Sequence, residues 1–471
     1  MIRRTKIVCT LGPSTSTKAL VHALVDAGMN VARINCSHGD WEQRRESIYW
    51  VREASSELAP VAVLVDLAGP KFRLAAIPEG ERVIETGETV TVGKHDRPDV
   101  TIPIDQDEII NKLSIDDRIL LGDGEIEIKI TGESKGIFEA KVLCGGSVKS
   151  RKGVTVVGKT FDVPSLTEKD IEDIAEAAKA GADYIALSYV RDVTDLRVLR
   201  REIDKHDSSI RICAKIETRD ALKNIEEILK AADLIMVARG DLGLQMDIED
   251  VPLAQKRIIE KCGEAAKPVI TATQMLESMM HASRPTRAEA TDVVNAVLDG
   301  SDAVMLSGET AAGEYPIECV KTVVRLAEKA EAIYDRSRVE NRFREKSKNG
   351  HHQTEAVAHS AAELADELHA AAIVITTSSG ETARFVSKFR PKNPILCTAW
   401  NPRIRNQMAV VWGVEAIALP LPATTDECVQ SSIDAFLRHE RLKVSDIVII
   451  TAGVPAGVAG HTNLVMAEIV K

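Results

Sequence analysis

Eight short apolar, β-branched runs recur between Lys6 and Leu306, and their number is the strongest constraint on the fold. They are Lys6–Cys9, Asn30–Ile34, Val61–Val65, Tyr184–Leu187, Ile210–Ile216, Leu234–Ala238, Pro268–Ala272 and Ala303–Leu306. Stretches of helical periodicity connect them, among them Thr17–Ala27, Trp41–Glu57, Glu168–Ala180, Arg219–Ala231, Leu253–Ala266 and Arg287–Leu298. Two helices carry capping-box spacing, Ser165-Leu-Thr-Glu168 and Thr286-Arg-Ala-Glu289. Eight βα units predict an α/β chain built on a (β/α)₈ TIM barrel, with a doubly wound sheet as the rival topology.

The alternation breaks between the third and fourth units. Residues from about Pro70 to Lys152 alternate with a period of two, as in Glu88-Thr-Val-Thr-Val and Glu125-Ile-Glu-Ile-Lys-Ile, with Gly-rich turns between. This predicts an all-β insertion that acts as a lid over the catalytic face. After Tyr334 comes a charged stretch, Arg336–Lys348, read as a solvated connector or helix face. Beyond it, Ala372–Thr376, Pro394–Thr398, Val414–Ala418 and Asp446–Thr451 alternate with helical patterns. The expected domains are a barrel over 1–69 and 153–335, an inserted β-barrel lid over 70–152 and a C-terminal α/β domain over 336–471.

Charge narrows the partners. The formal net charge is −11, which disfavours nucleic acid and anionic membrane as main partners. No run of about 18 apolar residues occurs, and the eight cysteines form no C-x-x-C pair, so a cytoplasmic protein with reduced thiols is expected. His351-His352 lacks spaced partners for a metal.

Polar residues gather at the C-terminal ends of the runs, the face that carries active sites in such barrels. Arg33, Asn35 and Ser37 share one strand face, which suits a phosphate and a coordinated cation, or a plain polar strand end. Glu217 and Asp241 offer oxygen ligands to Mg²⁺, and Lys215 sets a positive charge beside them, unless Lys215 and Glu217 form a mere ion pair. Arg239-Gly240-Asp241-Leu242-Gly243 is a glycine turn whose free N–H groups can bind a carboxylate or phosphate if a helix starts there.

Together with Thr5–Ser14, Met29–Gly39, Lys215-Ile-Glu217, Ile235–Gly243, Lys267–Ser278, Arg284–Glu289 and Met305–Thr310, these motifs resemble the pyruvate kinase family. The resemblance is strongest over about residues 1–335. It implies transfer of the phosphoryl group of phosphoenolpyruvate to ADP, giving pyruvate and ATP in the last step of glycolysis, in a homotetramer. Arg33 and Lys215 would hold the phosphoryl group, with Lys215 also stabilising the enolate. Backbone N–H groups of Gly240 and Asp241, with Thr273, would bind the carboxylate, and Thr273 would help deliver the proton. Glu217 and Asp241 would hold one Mg²⁺, a second arriving with the nucleotide. Arg73 would reach the nucleotide phosphates, with Thr10, Pro13, His38 and Lys152 nearby. Asn35, Ser37, Asp66 and Leu67 match the monovalent-cation positions, the first two also bordering the nucleotide.

One departure stands out. Many members read Asp-Thr-Lys-Gly-Pro-Glu-Ile-Arg where this chain reads Asp66-Leu-Ala-Gly-Pro-Lys-Phe-Arg73, so Lys71 replaces an acid. The family contains K⁺-independent members with lysine at this position, which implies a Mg²⁺-dependent enzyme without a K⁺ requirement. In the C-terminal domain, Thr377, Ser378, Ser379, Gly380 and Thr382 match the loop that binds an allosteric effector in regulated members, and a simple helix cap is the competing reading. Two other functions stay open: a Mg²⁺-dependent lyase or aldolase barrel acting on pyruvate enolate, and a catalytically silent metabolite sensor.

Overall fold

A computed structural model describes residues 3–77, 80–95, 97, 99–346, 352–453 and 462–471. Eight parallel strands close into a barrel: Lys6–Leu11, Val31–Asn35, Ala62–Asp66, Tyr184–Leu187, Arg211–Ile216, Leu234–Ala238, Val269–Ala272 and Ala303–Leu306. Each pairs with its neighbours in chain order, and the last returns to the first through Lys6↔Ala303. The rival doubly wound sheet is therefore excluded. The strands sit within two residues of the expected runs at either end.

Period-two alternation divides the barrel residues cleanly. Val8, Val31, Leu64, Tyr184, Cys213, Met236, Ile270 and Met305 fill the interior, while Ile7, Ile34, Val65, Ile185, Ile212, Val237 and Leu306 pack under the helices. Continued to the C-terminal ends, the inward set meets Thr10, Arg33, Asn35, Asp66, Lys215 and Glu217, the polar residues of the site.

The insertion forms a six-stranded sheet and a two-stranded ribbon. It extends past Lys152, because Val154–Val156 pairs antiparallel with Arg118–Leu121. Val154, Val156 and Phe161 belong to its core. Phe72 stacks edge-on against Phe161 and against Tyr189 of the barrel, with ring centroids 5.1 and 5.7 Å apart, and so fixes the hinge side of this domain.

The C-terminal domain has a five-stranded sheet. Four strands match the expected runs, and Leu464–Ile469 adds an antiparallel edge beside Ile447–Ala452. The charged stretch holds a helix, Ser337–Lys346; residues 347–351, which include His351, lie outside the described residues. This domain stops the barrel's N-terminal end. Tyr184 Oη donates to the Gln407 carbonyl at 2.8 Å, and Met408–Val411 packs into the same core as the barrel interior.

One capping box differs from the sequence reading. Thr167, rather than Ser165, is the N-cap of the helix Glu168–Lys179; its hydroxyl accepts from Asp170 N, and the Asp170 carboxylate returns to Thr167 N. Ser165 instead donates to Asp195 at 2.5 Å. Thr286 and Glu289 form the second box as expected. The single expected helix Arg219–Ala231 is two, Arg219–Lys223 and Ile225–Ala231, divided at Asn224. Thr167→Ala should destabilise the chain by about 1 kcal/mol and lower its thermal midpoint, whereas Glu168→Gln should leave the midpoint within error.

Candidate active site

The inward polar residues surround a cleft of about 360 Å³ between the barrel mouth and the insertion. Its barrel side carries Arg33, Asn35, Ser37, Asp66, Leu67, Lys215, Glu217 and Asp241, and Lys71 and Arg73 enter it from the start of the insertion. Gly122, Asp123 and Gly153–Val156 of the insertion line the same cleft.

Four charged side chains share protons and charge at the cleft floor. Lys215 Nζ lies 2.7 Å from Glu217 Oε1 and 3.3 Å from Asp66 Oδ1, and donates to Ser188 Oγ at 2.7 Å. Arg33 Nε donates to Asp66 Oδ2 at 2.7 Å and its Nη1 to Thr10 Oγ1 at 3.0 Å. Lys215, Glu217 and Asp66 are all buried. Burial pulls the Lys215 ammonium down, but Asp66, Glu217 and Asp241 outweigh it and hold it above the usual lysine range. Burial pushes Asp66 up, and Lys215 and Arg33 overcome that and keep it below the usual carboxylate range. For Glu217 burial prevails over the Lys215 charge, with Asp241 adding repulsion, so its proton is held more tightly than usual.

Glu217 Oε1 is buried with the Lys215 ammonium 2.7 Å away as its partner. Glu217 Oε2 accepts from Tyr189 N at 2.7 Å. Two carboxylates, Glu217 and Asp241, on the same cleft offer the hard oxygen donors that suit a hard cation. Among the described residues no cluster of three or more His, Cys, Asp or Glu is placed to ligate a metal. Two carboxylates with remaining positions left to water and substrate phosphate fit Mg²⁺.

Lys71 reaches the expected monovalent-cation positions. Its Nζ donates to Ser37 Oγ at 2.7 Å, while Asn35 Oδ1 accepts from Ser37 N at 3.1 Å. The residue is exposed, yet burial of its ammonium end, then repulsion from Lys215 and Arg73, lowers its pKa. The Leu67 carbonyl accepts from Ser188 Oγ at 2.8 Å, and the Leu67 side chain is buried.

The glycine turn does open a helix, Arg239–Gln245. Its Gly240 N–H is not free: it donates to Thr273 Oγ1 at 2.8 Å, and Thr273 Oγ1 donates to the Ala272 carbonyl at 2.6 Å. Thr273 and Gln274 have φ of 70° and 54°, left-handed values that cost about 1–3 kcal/mol each in non-glycine residues.

Of the expected residues, Gly240, Thr273, Thr10, Pro13, His38 and Lys152 are not part of the cleft lining. Thr10 is buried and touches it through Arg33. Pro13 opens a short 3₁₀ turn, and His38 is exposed, its carbonyl held by Arg44 at 2.7 Å. Lys152 pairs with Glu125 at 2.7 Å within the insertion. Arg73 lines the cleft and donates to the Arg151 carbonyl at 2.9 Å. In the C-terminal loop Thr377 Oγ1 accepts from Gly380 N at 2.9 Å, Ser379 Oγ from Glu381 N at 3.3 Å, and Thr382 bonds Thr462 at 2.7 Å. The Thr377 and Ser379 hydroxyls cap their own loop, and Thr382 ties it to Thr462.

Ser188, bonded to Lys215, and Arg239, bonded to the Thr273 carbonyl, are neighbours of the candidate residues to which motif reading gives no role. Ser188 has the inward parity of Tyr184 and Ala186, a signal that the fourth strand carries like the others. Arg239 has none, because its anchor Asp292 is 53 residues away.

Residues 2–320 match the family described as pyruvate kinase, barrel domain, and residues 355–467 match pyruvate kinase, alpha/beta domain. A pyruvate kinase of Geobacillus stearothermophilus is 43% identical over 100% of this chain and 81% of its own length. One from Mycobacterium intracellulare is 41% identical over 99% of this chain and 98% of its own. The crystal structure of a pyruvate kinase from Cryptosporidium parvum superimposes with a TM-score of 0.93 at 33% identity, covering 100% of this chain and 96% of that one. With its closed barrel and C-terminal α/β domain, the chain belongs to the pyruvate kinase family.

Proposed function

We propose that this chain transfers the phosphoryl group of phosphoenolpyruvate to ADP as the last step of glycolysis, with Mg²⁺ and without K⁺. The observation that carries the reading is Lys215, a buried ammonium held charged between Asp66 and Glu217 at the cleft floor. The P–O bond to the enol oxygen breaks, a bond to a terminal oxygen of ADP forms, and the enolate left behind takes a proton at its methylene carbon. Lys215 neutralises the charge that grows on the enol oxygen. Arg33 grips the phosphoryl oxygens; its Nη2 has no protein acceptor among the described residues. The substrate carboxylate takes the Gly240 and Asp241 N–H groups, which frees Thr273 Oγ1 from Gly240 to deliver the proton through water. Arg73, which lines the cleft, meets the nucleotide phosphates in this reading, with Thr10, Pro13, His38 and Lys152 further out. Glu217 and Asp241 would hold Mg²⁺, which when bound would supply positive charge that offsets the phosphoryl group's negative charge.

Lys71 supports the absence of a K⁺ requirement. Its ammonium occupies Ser37, one of the expected ligands, and a fixed positive charge there does the electrostatic work of a monovalent ion while repelling it. A cytoplasmic homotetramer with an effector at Thr377–Thr382 completes the reading. Glu381 beside that loop disfavours a doubly phosphorylated sugar and leaves a monophosphate as the preferred effector class.

Two variants test this. Lys215→Met should lower turnover at least about a hundredfold with the chain still folded, as read by circular dichroism; unchanged turnover would remove its assigned role. Lys71→Glu should be nearly inactive in K⁺-free buffer and recover on adding K⁺. A Lys71→Glu enzyme with the same rate in both buffers would contradict the resident-cation reading.

A further inference from the structure

Thr273 is asked to hold its hydroxyl in one place on a backbone that threonine does not favour. Neither it nor Gln274, at φ of 70° and 54°, is a glycine, and β-branched residues are rarest in this region. Something outside the turn must impose the shape. The groups that do so converge on one guanidinium. Arg239 Nη2 donates to the Thr273 carbonyl at 2.6 Å, to the Gln274 carbonyl at 3.4 Å and to Met275 Sδ at 2.8 Å. Its Nε reaches the Ala272 carbonyl at 3.3 Å. Behind it, Nη1 is gripped by both oxygens of Asp292, at 2.8 and 2.6 Å.

The clamp and the hydroxyl's partner are neighbours in sequence. Arg239 begins the helix whose next residue, Gly240, donates its N–H to Thr273 Oγ1. The guanidinium thus fixes the carbonyls of the turn, and before substrate binds the following amide also holds its hydroxyl. Like Gly240 and Thr273, Arg239 is not part of the cleft lining, and its guanidinium is taken up by the turn carbonyls and Asp292. A lysine could not reproduce the arrangement, because a single ammonium lacks the planar fork that meets acceptors on two sides.

We propose that Arg239, anchored by Asp292, is a positioning residue that holds Thr273 Oγ1 where it can serve the substrate carboxylate and the proton transfer. This rests on the role given to Thr273 above. If it holds, Arg239 acts through Thr273, and losing both should cost no more than losing the more costly one.

The test is a double-mutant cycle on the full chain, with kcat and KM for phosphoenolpyruvate measured for Arg239→Ala, Thr273→Ala and the pair. Each single variant should lose activity, by up to roughly a hundredfold, mainly in kcat. The pair should fall no further than the worse single variant. Added guanidinium should restore part of the Arg239→Ala rate and none of the double variant's. Losses that multiply in the pair, or guanidinium restoring the double variant equally, would overturn the proposal. Should Arg239→Ala fail to fold, Asp292→Asn and Arg239→Lys replace it with the same expected non-additivity. Wild-type enzyme that does not turn over phosphoenolpyruvate would refute the functional reading itself. Wild-type turnover with an unaffected Thr273→Ala would refute Thr273 and Arg239 together. Multiplying losses would refute Arg239 alone.

Discussion

A buried ammonium needs compensation, and the mouth of this barrel is organised around supplying it to Lys215. Left alone in a low-dielectric interior the charge would be lost, because desolvation costs several kcal/mol after relaxation, on the order of what one ion pair returns. Asp66 and Glu217 come from different strands and approach from different sides, and Ser188 fills a third donor direction. Asp66 is shared with Arg33, so two cations and two carboxylates form a single network. Such a network is rigid in the sense that matters for phosphoryl transfer, since its dipoles are already aimed before substrate arrives.

The rest of the architecture keeps that network dry and oriented. The C-terminal domain closes one end of the barrel through Tyr184, Gln407 and the Met408–Val411 turn. The insertion shades the other, pinned by Phe72 between Phe161 and Tyr189. Tyr189 serves twice, because its amide also holds Glu217. Placement of the insertion and placement of the Glu217 carboxylate therefore meet in one residue. The Arg239 clamp adds a second fixed point on the opposite rim, where Thr273 stands.

The barrel and most of its floor were legible because both follow from period-two alternation within single strands. Arg33, Asn35, Asp66, Lys215 and Glu217 share the parity of the apolar residues that fill the interior, and that parity is local information. What escaped the sequence depends on distant pairings. Ser188 matters through Lys215, and Arg239 through Asp292. The choice of Thr167 over Ser165 as N-cap was settled by Asp195, which takes the Ser165 hydroxyl. The strand Leu464–Ile469 lies at a sheet edge with mixed exposure and shows little of the buried pattern that marked its neighbours. The occupation of the Gly240 amide by Thr273 was likewise invisible, since it needs a left-handed turn that no glycine announces.

The most direct measurement of the central claim follows pyruvate and ATP together in wild-type enzyme given phosphoenolpyruvate, ADP and Mg²⁺ in buffer free of K⁺ and NH₄⁺. The account predicts equimolar products at a rate that added K⁺ does not raise. Products that appear only after K⁺ is added would show that Lys71 does not stand in for the ion, and pyruvate without ATP would contradict phosphoryl transfer at this site.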